Sequence, residues 1–128
     1  DVTDNFYAKQ VLKRVNTERK KAGLTELTWD DTVATAAMTR SKEIEKSFSH
    51  TRPDGRNFGT AITDLGITYR GAGENIAWGQ KTPEAVMNAW MNSEGHRANI
   101  LNPNFKKLGV GYRTDSQRTP YWTQLFTY

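Results

Sequence analysis

Residues 89–111 read AWMNSEGHRANILNPNFKKLGVG. The stretch opens on the end of one helix, at Ala89 and Trp90. It restarts at Ser93, which is placed to cap a short helical turn through Ile100. Asn102-Pro103 breaks that turn, because a residue before proline is pushed out of the helical region. Leu108, Val110 and Tyr112 then recur with period two, as a half-buried strand requires. Helix, helix, strand in so short a span is the punctuation of an α+β domain. The same stretch sets Glu94 and His96 two positions apart in a chain with only two histidines. Residues two apart do not share a helical face, so these two converge only where the backbone turns, which Gly95 permits.

Working outward, Thr82-Pro83-Glu84 is a helix start with a cap, a first-position proline and a first-turn acid. Before it, GAGENIAWG predicts a strand from Glu74 to Trp78. A first helix is predicted over residues 4–22 from the row Tyr7, Val11, Val15 with Ala8 and Leu12 beside it, stopped by Gly23. Asp30-Asp31 starts a second helix, with the stripe Val33, Ala36, Ala37, Arg40 and Ile44, fraying near Ser47. FSHTRPDG is turn chemistry. Phe58, Ala61, Ile62 and Leu65 predict a short third helix ending at Gly66, with a brief strand over Ile67–Tyr69. Residues 115–120 form a polar hairpin loop, and a last strand over 121–128 pairs antiparallel with 108–113. The expectation is one α+β domain over residues 1–128.

Composition bounds the rest. The chain has 128 residues, a formal charge of +4 with the signs interspersed, and no cysteine. Disulfides and thiolate metal sites are thereby excluded, so a zinc site would need His and carboxylate. The diffuse charge gives no case for nucleic acid. The densest basic cluster, Arg19-Lys20-Lys21, reads as cations complementing a helix dipole. No apolar run reaches the length of a membrane span. The chain begins at Asp1 without Met or a signal-like segment, and the expectation is a mature or trimmed chain.

His50 lies in a turn-rich loop, Glu74 enters an otherwise apolar strand, and Glu94 and His96 flank Gly95. Imidazole and carboxylate suit a divalent metal or proton exchange. Each residue has a plainer reading: a surface histidine, an ion pair between Glu74 and an arginine, a first-turn acid at Glu94. Arg97 reads as a carboxylate partner, and Asn99 and Asn102 as turn or capping residues. Trp78 and Trp90 read as core. Serine catalysis is disfavoured, since no nucleophile elbow is present and Ser49 is adjacent to His50.

Taken together, VNTERKKAGLTELTWDDTVATAA, FSHTRPDG, GAGENIAWG, AWMNSEGHRANILNPNFKKLGVGY and YWTQLF resemble the CAP superfamily of cysteine-rich secretory proteins, antigen 5 and pathogenesis-related class 1 proteins. The pieces come in the family's order and are most similar to its bacterial branch, the SCP-like extracellular domain. The resemblance implies an α-β-α sandwich with a small central antiparallel sheet flanked by helices. It also implies a cleft with a His/Glu tetrad. His50, Glu74 and Glu94 match three of its members. Tyr121 stands where the family's eukaryotic members carry the fourth, a histidine, and His96 is proposed to complete the set. Asn75, Tyr121 and Trp122 are read as lining that cleft, and the resemblance further implies zinc or another divalent cation as cofactor and a lipid, sterol-like or peptide ligand. The expected protein is extracellular or cell-surface associated and monomeric.

Three functions stay open at this point. The first is a secreted binding module whose cleft takes a metal and a small ligand. The second is a metal- or carboxylate-assisted hydrolase of peptide or cell-wall material. The third is a structural or interaction domain. No enzyme class follows from these residues, because no oxyanion element is identifiable, and the catalytic candidates are the same four: His50, Glu74, Glu94 and His96.

Overall fold

The computed structural model describes residues 2–128, with side chains from residue 5 onward. Helix α1 (Val2–Lys21) buries Ala8, Val11 and Val15 on one stripe and ends at Gly23 (φ 75°), where the Leu24 N–H closes back on the Arg19 carbonyl. Strand β1 (Thr28–Trp29) follows. Helix α2 (Asp31–Lys46) is capped by the Asp30 side chain, which accepts from the Val33 N–H at 2.9 Å. A single turn, α3 (Thr60–Thr63), precedes strand β2 (Ala72–Trp78). Helices α4 (Pro83–Met91) and α5 (Glu94–Ile100) lead to strands β3 (Lys107–Thr114) and β4 (Pro120–Thr127).

The strands lie in the order β1-β3-β4-β2. β3 and β2 both pair antiparallel with β4, with Val110 and Asn75 each opposite Gln124. Alternation sends Leu108, Val110, Tyr112, Trp122 and Phe126 into a core shared with α1, α4 and α5. Leu125, on the opposite face, packs with Val33, Ala36, Ala37, Ala61 and Ile62 of α2 and α3. The result is the α-β-α sandwich. Between Leu108 and Tyr112 the α2-facing positions are glycine. A Cβ at Gly109 would lie 2.2 Å from the Ala34 nitrogen, and one at Gly111 2.5 Å from the Ala37 carbonyl carbon. The helix rests on bare strand backbone.

Several expectations are corrected. The sheet is not purely antiparallel, because β1 pairs parallel with β3, Thr28 opposite Lys107. No strand forms over 67–69. Ile67 and Tyr69 pack instead against the α2–α3 core, and the backbone first meets a sheet partner at Arg70, whose N–H donates to the Tyr128 carbonyl at 2.7 Å. The third helix is shorter than its apolar spacing suggests. Ser93 occupies the cap position of α5 without a capping bond from its side chain, whereas Thr82 caps α4 as expected. Arg19, in the last turn of α1, does more than complement the helix dipole. It is fully buried, and its guanidinium donates to the carbonyls of Thr25, Ile100 and Asn102 at 2.8–2.9 Å, tying the end of α5 to the end of α1. Burial holds its pKa below the usual arginine value.

Candidate functional site

The apolar stripe of α2 carries one residue out of character. Arg40 is fully buried, and a buried guanidinium needs a carboxylate. It finds Glu74, on the α2 face of edge strand β2: Nε donates to Oε2 at 2.7 Å and Nη2 to Oε1 at 3.2 Å. Arg40 Nη1 also donates to Glu43 Oε1 at 2.7 Å, and Nη2 to the Ser49 carbonyl. Burial alone would lower the pKa of Arg40, and the bonds to Glu74 and Glu43 more than reverse that, so it is raised.

Oε1 of Glu74 takes a further bond, from His50 Nδ1 at 2.7 Å. The His50 loop is held for this contact from both sides. Its carbonyl accepts from the Phe58 N–H at 3.0 Å, and the following Arg52 reaches Glu43 (2.9 Å), Thr60 (2.9 Å) and Asp64 (3.1 Å). Burial would raise the pKa of Glu43, but hydrogen bonds from Arg52 and Arg40 hold it below the usual carboxylate range. The His50 side chain remains 57% exposed. With Nδ1 on a carboxylate, Nε2 carries the free lone pair of the neutral ring.

His96 approaches from α5. Its carbonyl accepts from Asn75 Nδ2 at 3.1 Å, and Asn75 also donates to Gln124 at 2.9 Å. Asn99 closes this amide network by donating to the Glu74 carbonyl (3.2 Å) and to Asn75 Oδ1 (2.9 Å). The His96 pKa is lowered, first by burial and then by the charge of nearby His50. Its Nδ1 is buried without a partner. His96 borders an open hollow of about 250 Å³ alongside Phe48, Trp78 and Gln80.

The predicted residues thus divide. Glu74 bonds to His50, and His96 stands near enough to feel the charge of His50. Glu94 is exposed on the first turn of α5. Among the described residues no three His, Asp or Glu side chains converge as donors for one metal ion, and both oxygens of Glu74 are already engaged. The cleft-lining expectations are corrected: Trp122 and Asn75 are fully buried, Trp122 in the core against Tyr7 and Tyr112. Tyr121 sits at the hairpin end of β4, its hydroxyl donating to Asp115 at 3.3 Å. Trp90 is core as read, but Trp78 is 57% exposed. Arg97 donates to the Met91 carbonyl rather than to a carboxylate. Ser49 Oγ accepts from the Thr51 N–H at 3.0 Å. Arg40 and Asn99 belong to the site although the sequence reads them as a stripe residue and a turn or capping residue. The signal for Arg40 was a cation inside an apolar stripe, facing a chain whose one strand acid in apolar company is Glu74.

Residues 12–126 match the cysteine-rich secretory protein family, CAP. An uncharacterised Bacillus subtilis protein, YkwD, is 47% identical over 94% of this chain and 46% of its own length. The crystal structure of an extracellular Bacillus anthracis protein containing an SCP domain superposes with a TM-score of 0.89 at 33% identity, covering 97% of this chain and 41% of that one. An outer surface protein of Borrelia burgdorferi gives a TM-score of 0.85 at 24% identity, covering 93% and 90%, a likeness of fold. The chain spans less than half the length of the two Bacillus proteins.

Proposed function

Because the chain belongs to the cysteine-rich secretory protein (CAP) family, we propose that it is an exported binding module whose His50–His96 pair takes a divalent cation beside an open ligand-binding hollow. The bond from His50 Nδ1 to Glu74 carries this reading. Metal-bound histidines ordinarily place their second ring nitrogen on a carboxylate, which fixes the tautomer and the ring. Glu74 is then the orienting group and Arg40 its counter-charge, rather than either being a ligand. Two imidazoles without a third donor would suit a weak, water-completed site for a borderline cation such as Zn²⁺ rather than a closed four-donor cage. Export is supported by the extracellular Bacillus anthracis relative. Among the described residues no helix is long and apolar enough to cross a membrane.

Calorimetry with Zn²⁺ tests the proposal. Wild-type protein should bind one ion, and His50→Ala and His96→Ala should each weaken binding by at least about tenfold. Glu94→Gln should change it by less than about threefold. Equal titrations of wild type and both histidine variants would end the metal reading.

A further inference from the structure

The hollow beside His96 carries chemistry that the imidazole pair does not use. Phe48 and Trp78, 50% and 57% exposed, stand on its border. Two of its lining residues, Gln80 and His96, each carry a buried side-chain atom with no protein partner, Oε1 and Nδ1. Buried polar atoms in folded proteins are nearly always hydrogen-bonded, so two orphans on residues that line one hollow mark side chains that a small turn toward it would let a ligand satisfy.

The lining narrows the ligand. None of the residues around the hollow is Asp, Glu, Lys or Arg, so in the metal-free chain a charged ligand would be desolvated there without a counter-ion. The ligand is neutral. An extended peptide is disfavoured because the neighbouring edge of β2 is already capped. The Ile76 carbonyl accepts from Trp90 Nε1 at 3.2 Å, and the Glu74 carbonyl from Asn99 Nδ2 at 3.2 Å. Strand addition needs those groups free. A hydrocarbon chain would cover the aromatic rings and leave both orphans unmet. A pyranose ring meets every term. Its C–H face suits an exposed indole or phenyl surface, and its substituents supply donors at fixed separations.

We propose that the Phe48–Trp78 hollow is a subsite for a neutral N-acetylated sugar residue, with the acetamido N–H on Gln80 Oε1, a hydroxyl on His96 Nδ1 and the ring against Trp78. This goes beyond the cation reading, and its test is run in EDTA so that failure of metal binding leaves it intact.

The probe is tri-N-acetylchitotriose, titrated into the ¹⁵N-labelled chain and followed by NMR, with cellotriose as the ring lacking the acetamido group. Saturable shifts of the Trp78 indole N–H and of the Ala77–Gln80 and His96 amides are expected. Cellotriose should bind about tenfold more weakly, and Gln80→Leu should lose about tenfold toward the acetylated trimer. Trp78→Ala, checked for folding by circular dichroism, should abolish the response. The proposal is overturned by no response to the trimer, by shifts confined to another surface, by equal affinity for cellotriose, or by wild-type affinity in Gln80→Leu.

Discussion

The guanidinium of Arg40 and the carboxylate of Glu74 form a bidentate pair with both side chains removed from solvent, Nε to Oε2 at 2.7 Å and Nη2 to Oε1 at 3.2 Å. It joins helix α2 to the edge strand and presents the His50 ring outward. Breaking such a pair on one side strands a buried charge, at about 3–5 kcal/mol. Arg40→Met and Glu74→Gln should each lower stability in urea denaturation by at most that order, because Arg40 keeps Glu43 and Glu74 keeps His50. The double variant should cost clearly less than the sum, since no lone charge then remains. Additive losses would mean that the two residues do not act as a unit.

The α2–β3 contact yields a sharper steric test. At Gly109 the nearest atoms to an added Cβ are backbone of Val33 and Ala34, at 2.4 and 2.2 Å, and backbone cannot swing aside. Gly109→Ala should therefore cost about 3 kcal/mol or more, the upper end of overpacking. Gly95, inside α5, has nothing within 4 Å of its added Cβ. Gly95→Ala should be neutral or stabilising by up to about 1 kcal/mol, from the better helix former. Thermal melts of the two variants should move in opposite directions or differ widely.

These features differ in how far the chain announced them. Caps and stops at Asp30, Thr82 and Gly23 are local chemistry, written within a few residues, and they form as read. Strand β1 is only two residues long and exists because β3 offers it an edge, a contact no local pattern encodes. Trp78 and Trp122 carry the same residue type in similar apolar alternation, yet one is exposed and the other is core. The difference lies in position: Trp122 is on central strand β4, stacked under α1, while Trp78 ends the edge strand. The His50–Glu74 bond spans 24 positions and was expected only through the family resemblance, whereas Arg40 advertised its need for a carboxylate without naming the partner.

Arg19 is held by three carbonyls from two parts of the chain. A lysine keeps the charge but cannot reproduce a planar fork. Arg19→Lys should lower stability by about 1–3 kcal/mol, the cost of leaving buried acceptors unmet. Because Ile100 ends α5 and Asn102 lies just beyond its cap, the His96 side-chain resonances should move as well. An unchanged melting temperature would show that the fork geometry is dispensable.

His96 makes stability pH-dependent in a definite direction. Its folded pKa lies below the ordinary value of 6.5, through burial and then the charge of His50. The unfolded chain therefore binds more protons as pH falls through about that value, and the native state loses stability there. Denaturant midpoints should decline from pH 7.5 to 5, and His96→Asn should flatten that decline. Glu43 and Asp64, whose pKa values are depressed, are expected to add their own losses only at more acid pH. A steeper pH dependence in His96→Asn than in wild type would reverse the assignment.

The tautomer of His50 is the most direct test of the site. Glu74 Oε1 at 2.7 Å from Nδ1 requires the proton on Nδ1, and thus an unprotonated Nε2 in the neutral ring. Long-range ¹H–¹⁵N spectra at pH 8 should show a pyrrole-type Nδ1 and a pyridine-type Nε2. In Glu74→Gln the amide is a weaker acceptor, and the ring should drift toward the Nε2–H form that free imidazole side chains favour in water. Zn²⁺ affinity should fall with it by about 10–100-fold, the usual consequence of losing an orienting carboxylate behind a ligand. An Nε2–H tautomer in the wild-type protein would remove the lone pair on which cation binding by His50 depends.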